Sequence, residues 1–334
     1  MSGRLRVLRP GPHDTVQDLG RHGYRAYGMP SSGAADWASL VAGNLLVGNP
    51  PTAAALESTL VGPVLRVEGG EVFLAVTGAP CTPRVDGSPV PCWTVLCLRP
   101  GQTLKLGSCH LGCRMYVCVA GGIETPEVME SRSTYVPGEI GGLDGRKLAE
   151  GDCLPVGMNS QGARVGRTLR PEFRPQMKEP WTLRAVRGPD DDAFLPESVS
   201  QFFSGTYRVS PASDRMGCRL EGPVLRHAGD AEIVSEGVIP GTVQVPGSGL
   251  PMLLLSDCQT TGGYPRIATV IRADMWAAGQ LRPGDAVRFC EVSVEQAVQA
   301  ERRMLGRLAR GLGLGLSVIR TADWGFRVWV EPQG

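Results

Sequence analysis

The sequence has no Cys-x-x-Cys pair, only 4 histidines in 334 residues and an aromatic share of 6%. The missing cysteine pairs remove the most specific zinc spacing. No histidine stands beside a nucleophile-elbow motif, so no Ser-His-Asp triad can be read. Net charge is only +1, which leaves no basic footprint for nucleic acid. No stretch reaches the length of a membrane span, and "MSGRLRVLRPGPHD" has no apolar core of signal-peptide length. A cytoplasmic location with no membrane contact is expected. The GxxxxGK[ST] phosphate loop is absent. "GSGLPM" begins like GxGxxG but continues with Pro251 and Met252, where the third glycine and a helix should stand.

Turn-formers are abundant instead. The chain carries 45 glycines and 27 prolines without a collagen-like period, so many short strands joined by tight turns are expected. Its 10 cysteines sit in apolar β-like runs such as "CWTVLCL" and "CRMYVCVAGG", the pattern of buried reduced thiols rather than a disulfide framework. Cys109, Cys113 and Cys118, with His110 beside the first, would alternate across the two faces of a strand, so no structural zinc is expected there.

At this length two compact units are expected, and an internal repeat supports them. "GPVLR" occurs at 62–66 and again at 222–226, and "LRPGQTLKL" (98–106) is answered by "LRPGDAVRF" (281–289). "SSGAADWASL" lies upstream of the first copy and "SPASDRMGCRL" upstream of the second. The reading is a mainly β chain with a first subdomain over 1–160 and a proline-punctuated linker over 161–180. A second subdomain follows over 181–292, then a C-terminal helix and tail over 293–334. Strands are expected at Leu5 to Leu8, Val72 to Thr77, Val95 to Leu98, Met115 to Ala120, Met252 to Leu255 and Ile267 to Ile271. One helix is expected from Asp36 to Val47, with Trp37, Leu40, Val41 and Leu45 on one face. Another starts at Ser293 in a capping-box form, with Val298, Leu305 and Leu308 inward and Arg302, Arg303, Arg307 and Arg310 on a solvated face.

Chemistry concentrates in "SDCQTTGGYPRIATVI" (256–271). Gly262 and Gly263 permit close backbone approach, Gln259, Thr260 and Thr261 offer uncharged hydrogen-bonding groups, and Asp257, Tyr264 and Arg266 can meet charge. The same composition also describes a plain glycine-rich hairpin. "SPASDRMGCRLEG" (210–222) adds Asp214 and Arg215, which alternatively form a surface ion pair. "TVQDLGRHGYRAYGMPSSGAAD" (15–36) adds Gln17, Asp18, Arg21, Ser32 and Asp36, the last equally suited to a helix N-cap. "SEGVIPGTVQVPGSG" (235–249) adds Glu236 and Gln244. Cys258, with no histidine nearby in sequence, reads as a small buried thiol.

Taken together, "TVQDLGRHGYRAYGMPSSGAAD", "LESTLVGPVLRVE", "VCVAGGI", "SPASDRMGCRLEGP", "SEGVIPGTVQVP" and "DCQTTGGYPRIATVIRAD" resemble the biotin-dependent carboxyltransferase family over about residues 5–290. That family includes the C-type subunit of 5-oxoprolinase, also called the KipI antagonist or allophanate hydrolase subunit 2. It is also similar to the carboxyltransferase A and B subdomains of urea carboxylase. The resemblance implies two cyclophilin-like β-barrel subdomains with few short helices. It implies a component that opens 5-oxoproline to glutamate at the expense of ATP, together with a KipI-like B-type subunit and a LamB-like A-type subunit. Two alternatives remain: carboxyl transfer from carboxybiotin to urea or a similar amide, and non-enzymatic binding of a KipI-like kinase inhibitor. The resemblance implies catalytic roles for Asp214, Arg215, Asp257, Tyr264 and Arg266. Gln17, Asp18, Arg21, Gln244, Gln259, Thr260, Thr261, Gly262 and Gly263 are expected to contact substrate. Met177 and Lys178 in "PQMKEP" lack the surroundings of a biotin carrier lysine, so any biotin arrives on another protein. No ATP-binding motif is present either, so ATP is expected to be handled by the complex. The metal requirement stays open.

Overall fold

The computed structural model describes residues 3–158 and 162–314. The chain forms two compact units: Met1–Gly23, Ser32–Pro175 and Gly306–Gly334 make the first, Tyr24–Ser31 and Gln176–Leu305 the second. The architecture is mainly β, with four α-helices among the described residues.

The first unit is built from two antiparallel sheets. One has six strands, in the spatial order Cys153–Pro155, Arg4–Arg9, Val61–Glu68, Thr103–Ser108, Arg84–Val85 and Ser88–Pro89. The other has five, in the order Asp14–Gln17, Ala55–Thr59, Arg114–Val119, Val72–Gly78 and Leu96–Leu98. Alternation decides the start of the first strand, where Leu5 and Val7 are buried and Arg4 faces water; a register shift between Val7 and Arg9 then breaks the period and leaves Arg9 exposed. Arg114–Val119 is buried along its whole length, between two neighbours and beneath the helix Trp37–Leu46. That helix starts where the Asp36 carboxylate accepts the Ser39 backbone N–H at 2.9 Å. Below the cap, the Tyr116 hydroxyl donates to Glu57 at 2.6 Å and accepts the Asp36 N–H at 2.8 Å, and the same Glu57 carboxylate accepts the Ala35 N–H at 2.9 Å. Burial, foremost, raises the Tyr116 phenol well above its ordinary pKa.

The second unit is a closed seven-stranded barrel. Around it run Trp181–Arg187, Arg266–Val270, Thr242–Gln244, Met252–Leu254, Gly217–Glu221, Tyr207–Val209 and Ala286–Glu291. The closing pair, Ala286–Glu291 with Trp181–Arg187, is parallel, and closure leaves no sheet edge to protect. The helix Pro196–Ser204 packs on the barrel through Phe202, whose ring stacks on Phe289 at 4.4 Å.

All six expected strands are present with ends shifted by a residue or so. Several other expectations need correction. The helix Trp37–Leu46 is buried nearly all round, and Leu45, expected inward, is its half-exposed residue. Its neighbours on both sides are apolar, so no single stripe marks the core face. The second "GPVLR", 222–226, is irregular chain, whereas the first lies in the strand Val61–Glu68. The longer repeat is structural: Gly101 and Gly284 both sit at φ 91°, each in a turn that leads into a strand.

The segment expected as a linker over 161–180 belongs to the first unit as far as Pro175. Leu169 is fully buried there, Leu169 and Val95 exchange backbone bonds with Trp93 and Arg167, and Arg167 donates to the Leu45 and Leu312 carbonyls at 3.0 and 2.9 Å. Composition hid this because a basic side chain can cap buried carbonyls as well as face water. The C-terminal helix, Val294–Leu312, is likewise shared between the units at Leu305 and Gly306 instead of standing apart from them. Its capping box forms: Ser293 N–H donates to the Gln296 amide oxygen at 2.8 Å and Gln296 N–H to the Ser293 hydroxyl at 3.3 Å. Leu305 and Leu308 are buried, but Val298 is 44% exposed; Arg302, Arg303 and Arg310 face solvent and Arg307 is half-buried. Most of the expected tail lies outside the described residues. Among the described residues no helix is long and apolar enough to cross a membrane.

Candidate functional site

The loop 256–264 is not a free hairpin. Thr261–Gly262 pairs antiparallel with Glu236–Gly237, Val238 N–H donates to the Thr260 carbonyl and Ile233 N–H to the Gly263 carbonyl. The threonines therefore contribute backbone to a short ribbon, and the Thr261 side chain is exposed. Behind the ribbon lies Gln244, fully buried on a barrel strand. Its amide N–H donates to the Tyr264 carbonyl at 3.0 Å, and its amide oxygen accepts a long bond from the Gln259 amide at 3.4 Å. A Cβ on Gly262 would lie 2.5 Å from the Gln244 amide nitrogen, so glycine here makes room for a side chain. Gln244, Gln259, Gly262 and Tyr264 thus come together, with Gln259 only half-buried.

Arg266 adjoins this group and is already engaged. It forks onto Asp190 at 2.6 and 3.0 Å and reaches Glu236 at 2.5 Å, while its own backbone N–H also donates to Asp190. The guanidinium, chiefly through those hydrogen bonds, holds the Asp190 carboxyl below its ordinary pKa. Arg215 and Asp257 form a second closed pair, at 2.8 and 3.2 Å, with both side chains buried. Asp214 does not pair with its neighbour Arg215; it is exposed and its carboxylate accepts the N–H groups of Met216 and Gly217 at 2.7 and 3.2 Å, closing a turn. Adjacency in sequence suggested a pair that the turn geometry forbids. Cys258 is fully buried against Val238 and Leu254, and burial pushes its thiol up to about 11. That environment is the one of a packed thiol.

Sequence reasoning missed two groups. Arg25 donates through one guanidinium nitrogen to the carbonyls of Val238 at 2.5 Å and Gln259 at 2.9 Å, tying together the two strips of the ribbon. Asp190 anchors Arg266. The acidic run "PDDDA" around Asp190 was the available signal; Arg25 gave none beyond a cation in a glycine-rich stretch.

In the first unit Asp18 is the organising residue. Its carboxylate accepts the hydroxyls of Ser131 and Ser133 at 2.7 and 2.5 Å and the N–H groups of Gly20 and Arg132 at 2.8 and 2.6 Å. It forms part of the wall of a cleft of about 360 Å³ with His22, Thr52, Glu124, Glu130 and Arg132. That volume lies at the small end of ligand sites, roughly 300–1,000 Å³. Gln17 and Arg21 do not line it. Both are fully buried: Gln17 donates to Thr15 and Thr134, and Arg21 to the carbonyls of Ser133 and Val128 at 2.5 and 3.4 Å. Asp36 is the helix cap already described, and Ser32 is buried with a left-handed φ of 53°. Among the described residues no three of His, Cys, Asp and Glu come together as metal ligands.

A family model described as the carboxyltransferase domain, subdomain A and B, matches residues 27–291, which span both the loop 256–264 and the carboxylates that brace it. The chain belongs to the carboxyltransferase A/B family. Within it, the chain is 41% identical over 300 residues to the C-type subunit of 5-oxoprolinase of Escherichia coli, a match covering 89% of this chain and 94% of that protein. It is 33% identical over 311 residues to the urea amidolyase of Saccharomyces cerevisiae, covering 88% of this chain but 17% of that one. The crystal structure of Kluyveromyces lactis urea carboxylase superposes with a TM-score of 0.87 at 30% identity, over 94% of this chain and 30% of that chain. The carboxyltransferase A/B fold of this chain therefore spans nearly the whole of one kind of relative and less than a third of the other.

Proposed function

We propose that this chain is the C-type subunit of an ATP-dependent 5-oxoprolinase that opens 5-oxoproline to glutamate with a KipI-like B-type subunit and a LamB-like A-type subunit in the cytoplasm. The observation that carries this reading is the near end-to-end match to the C-type subunit of a named 5-oxoprolinase. The urea enzymes match as one segment of much longer chains.

The geometry supports amide chemistry. A lactam presents an N–H and a C=O side by side, and a carboxamide presents the complementary acceptor and donor. Gln259 retains one amide N–H and its amide oxygen after bonding Gln244, and is half-buried beside Tyr264. Gln244, with no solvent exposure, fixes the orientation of that amide. Ring opening must overcome amide resonance and stabilise charge developing on the carbonyl oxygen, for which uncharged donors held in advance are effective. Arg215 is paired with Asp257, and Arg266 with both Asp190 and Glu236, so in this arrangement the two guanidinium groups hold the site in place. ATP would reach the reaction through the other subunits. Biotin, if the chain served carboxyl transfer, would arrive on a separate carrier.

The test sets two activities side by side. The chain, co-purified with its A- and B-type partners, is assayed for ATP-dependent glutamate formation from 5-oxoproline and for decarboxylation of free carboxybiotin. Glutamate formation without carboxybiotin turnover is expected. Carboxybiotin turnover alone would replace this reading by the carboxyltransferase one, and binding to the B-type partner without either activity would favour a purely regulatory role.

A further inference from the structure

In the first unit the chain leaves the five-stranded sheet at Gly78, forms a hairpin at the edge of the six-stranded sheet, and returns at Leu96. The hairpin pairs Arg84 with Pro89 and Val85 with Ser88 across a turn in which Asp86 and Gly87 have φ values of 48° and 84°. Both left-handed residues fit the primed turns that two-residue hairpins favour. Val90 N–H donates to the Pro83 carbonyl at 2.9 Å and continues the same register. Beyond Pro83 and Val90 the two arms of the hairpin carry Cys81 and Cys92, whose side chains meet. Their sulfurs are 3.7 Å apart and both side chains are half-exposed.

We infer that Cys81 and Cys92 are a redox-modification site that closes to a reversible disulfide on reaction with a low-molecular-weight disulfide of the glutathione type. The sulfurs, already 3.7 Å apart, need only approach the disulfide bond length of about 2.0 Å, a movement within the reach of side-chain rotation. The surroundings assign the roles. Cys92 can donate its S–H to the Cys81 carbonyl, 3.6 Å away, and as a thiolate it accepts the S–H of Cys81. That hydrogen bond, with the nearby Arg174 charge, lowers the Cys92 pKa, and the same contact raises that of Cys81. Arg174 is held in place by its bond to the Leu169 carbonyl at 2.7 Å and lies over the Trp93 ring.

The steps balance as two exchanges. The Cys92 thiolate attacks one sulfur of the oxidised glutathione, the S–S bond breaks, and one glutathione thiolate leaves. Cys81 then gives its proton to solvent or to that thiolate and attacks the Cys92 sulfur of the mixed disulfide. The Cys81–Cys92 bond forms and the second glutathione leaves as a thiolate. Two protein thiols are oxidised and one glutathione disulfide is reduced.

The test needs no enzymatic activity, so its outcome is independent of the proposed reaction. The full chain is equilibrated in buffers of graded reduced-to-oxidised glutathione ratio, quenched with acid, alkylated and mapped by peptide mass. A peptide linking Cys81 to Cys92, short of two hydrogens and regained as free thiols on reduction, is the expected result. Both cysteines alkylated in the most oxidising buffer, or either one linked to Cys109, would overturn the inference. In Cys81→Ser, Cys92 should keep a stable glutathione adduct, formed several-fold faster than the Cys81 adduct in Cys92→Ser, because the Arg174 charge favours the Cys92 thiolate. The reverse order would overturn the assignment of Cys92 as the attacking group. Circular dichroism checks that each variant is folded, with alanine replacing serine if one is not.

Discussion

Arg215 and Asp257 meet as a two-pronged ion pair, Nε to Oδ2 at 2.8 Å and Nη2 to Oδ1 at 3.2 Å, with both side chains almost entirely out of solvent. The Asp257 backbone N–H also donates to the Arg215 carbonyl, so the pair joins the start of the loop 256–264 to the strand Gly217–Glu221. Removing one partner leaves a buried charge alone, which costs about 3–5 kcal/mol. Arg215→Ala should lower the free energy of unfolding by that amount in urea denaturation. Arg215→Met combined with Asp257→Leu should recover most of it, because both charges go together.

The Asp190–Arg266 pair makes stability depend on pH. Asp190 sits below its ordinary pKa of 3.8 in the folded chain, chiefly because of its hydrogen bonds from Arg266. A carboxyl depressed by folding adds stability that is fully present above its unfolded pKa and is lost as pH falls through the folded value. Asp190→Asn should therefore be less stable than the wild type at pH 7, and the difference should shrink below about pH 4. Urea midpoints measured down the acid limb check this; a gap that stays constant with pH would contradict it.

Gly262→Ala places a methyl group 2.5 Å from the Gln244 amide nitrogen and 3.0 Å from its oxygen. Since Gly262 is not among the positive-φ glycines, the cost is steric rather than conformational. Gln244 must move, and Gln259 and the Tyr264 carbonyl lose their partner. The variant should fold with a loss of about 1–3 kcal/mol. Its activity in the assembled enzyme should fall by on the order of 100-fold, the scale of a displacement near 1 Å. Rates and denaturation midpoints measured on the same preparation separate the two effects.

A fourth prediction concerns the rim of the cleft at Asp18. Val128 and Ser131 exchange backbone hydrogen bonds across a two-residue turn, and its central residues, Met129 and Glu130, have φ of 53° and 59°. Neither side chain favours that region, so the bonds from Ser131 and Arg132 to Asp18 hold the turn against its own preference. Replacing Met129–Glu130 by Asn–Gly should raise stability by about 1 kcal/mol. Asp18→Asn should lower it by about 1–3 kcal/mol, as a carboxylate acceptor of four bonds is lost. Urea denaturation of both variants beside the wild type checks the two signs.

Where side-chain period decided the outcome, the sequence was a good guide. Leu5 and Val7, the buried run Arg114–Val119 and the Asp36 and Ser293 caps follow from local rules that neighbours do not override. The same rules were silent about long-range pairing. Arg215 lies beside Asp214 in the chain but bonds Asp257, and Arg266 bonds Asp190, 76 positions away. A charged residue's partner is fixed by barrel closure, which no short window contains. The cleft around Asp18 was visible only through that one residue, because Thr52, Glu124 and Glu130 come from separate stretches that carry no shared motif. Leu169 shows the opposite failure, one buried leucine in a polar, basic segment that reads as a linker.

As the C-type subunit of an ATP-dependent 5-oxoprolinase, this chain should be required for turnover. The direct measurement is the initial rate of glutamate formation from 5-oxoproline by the purified A- and B-type partners at saturating ATP, as this chain is titrated in. No rate above background is expected without the chain, then a rise to a plateau at a fixed stoichiometry, and a plateau about 100-fold lower with Gly262→Ala. A rate that is the same with and without the chain would contradict that requirement.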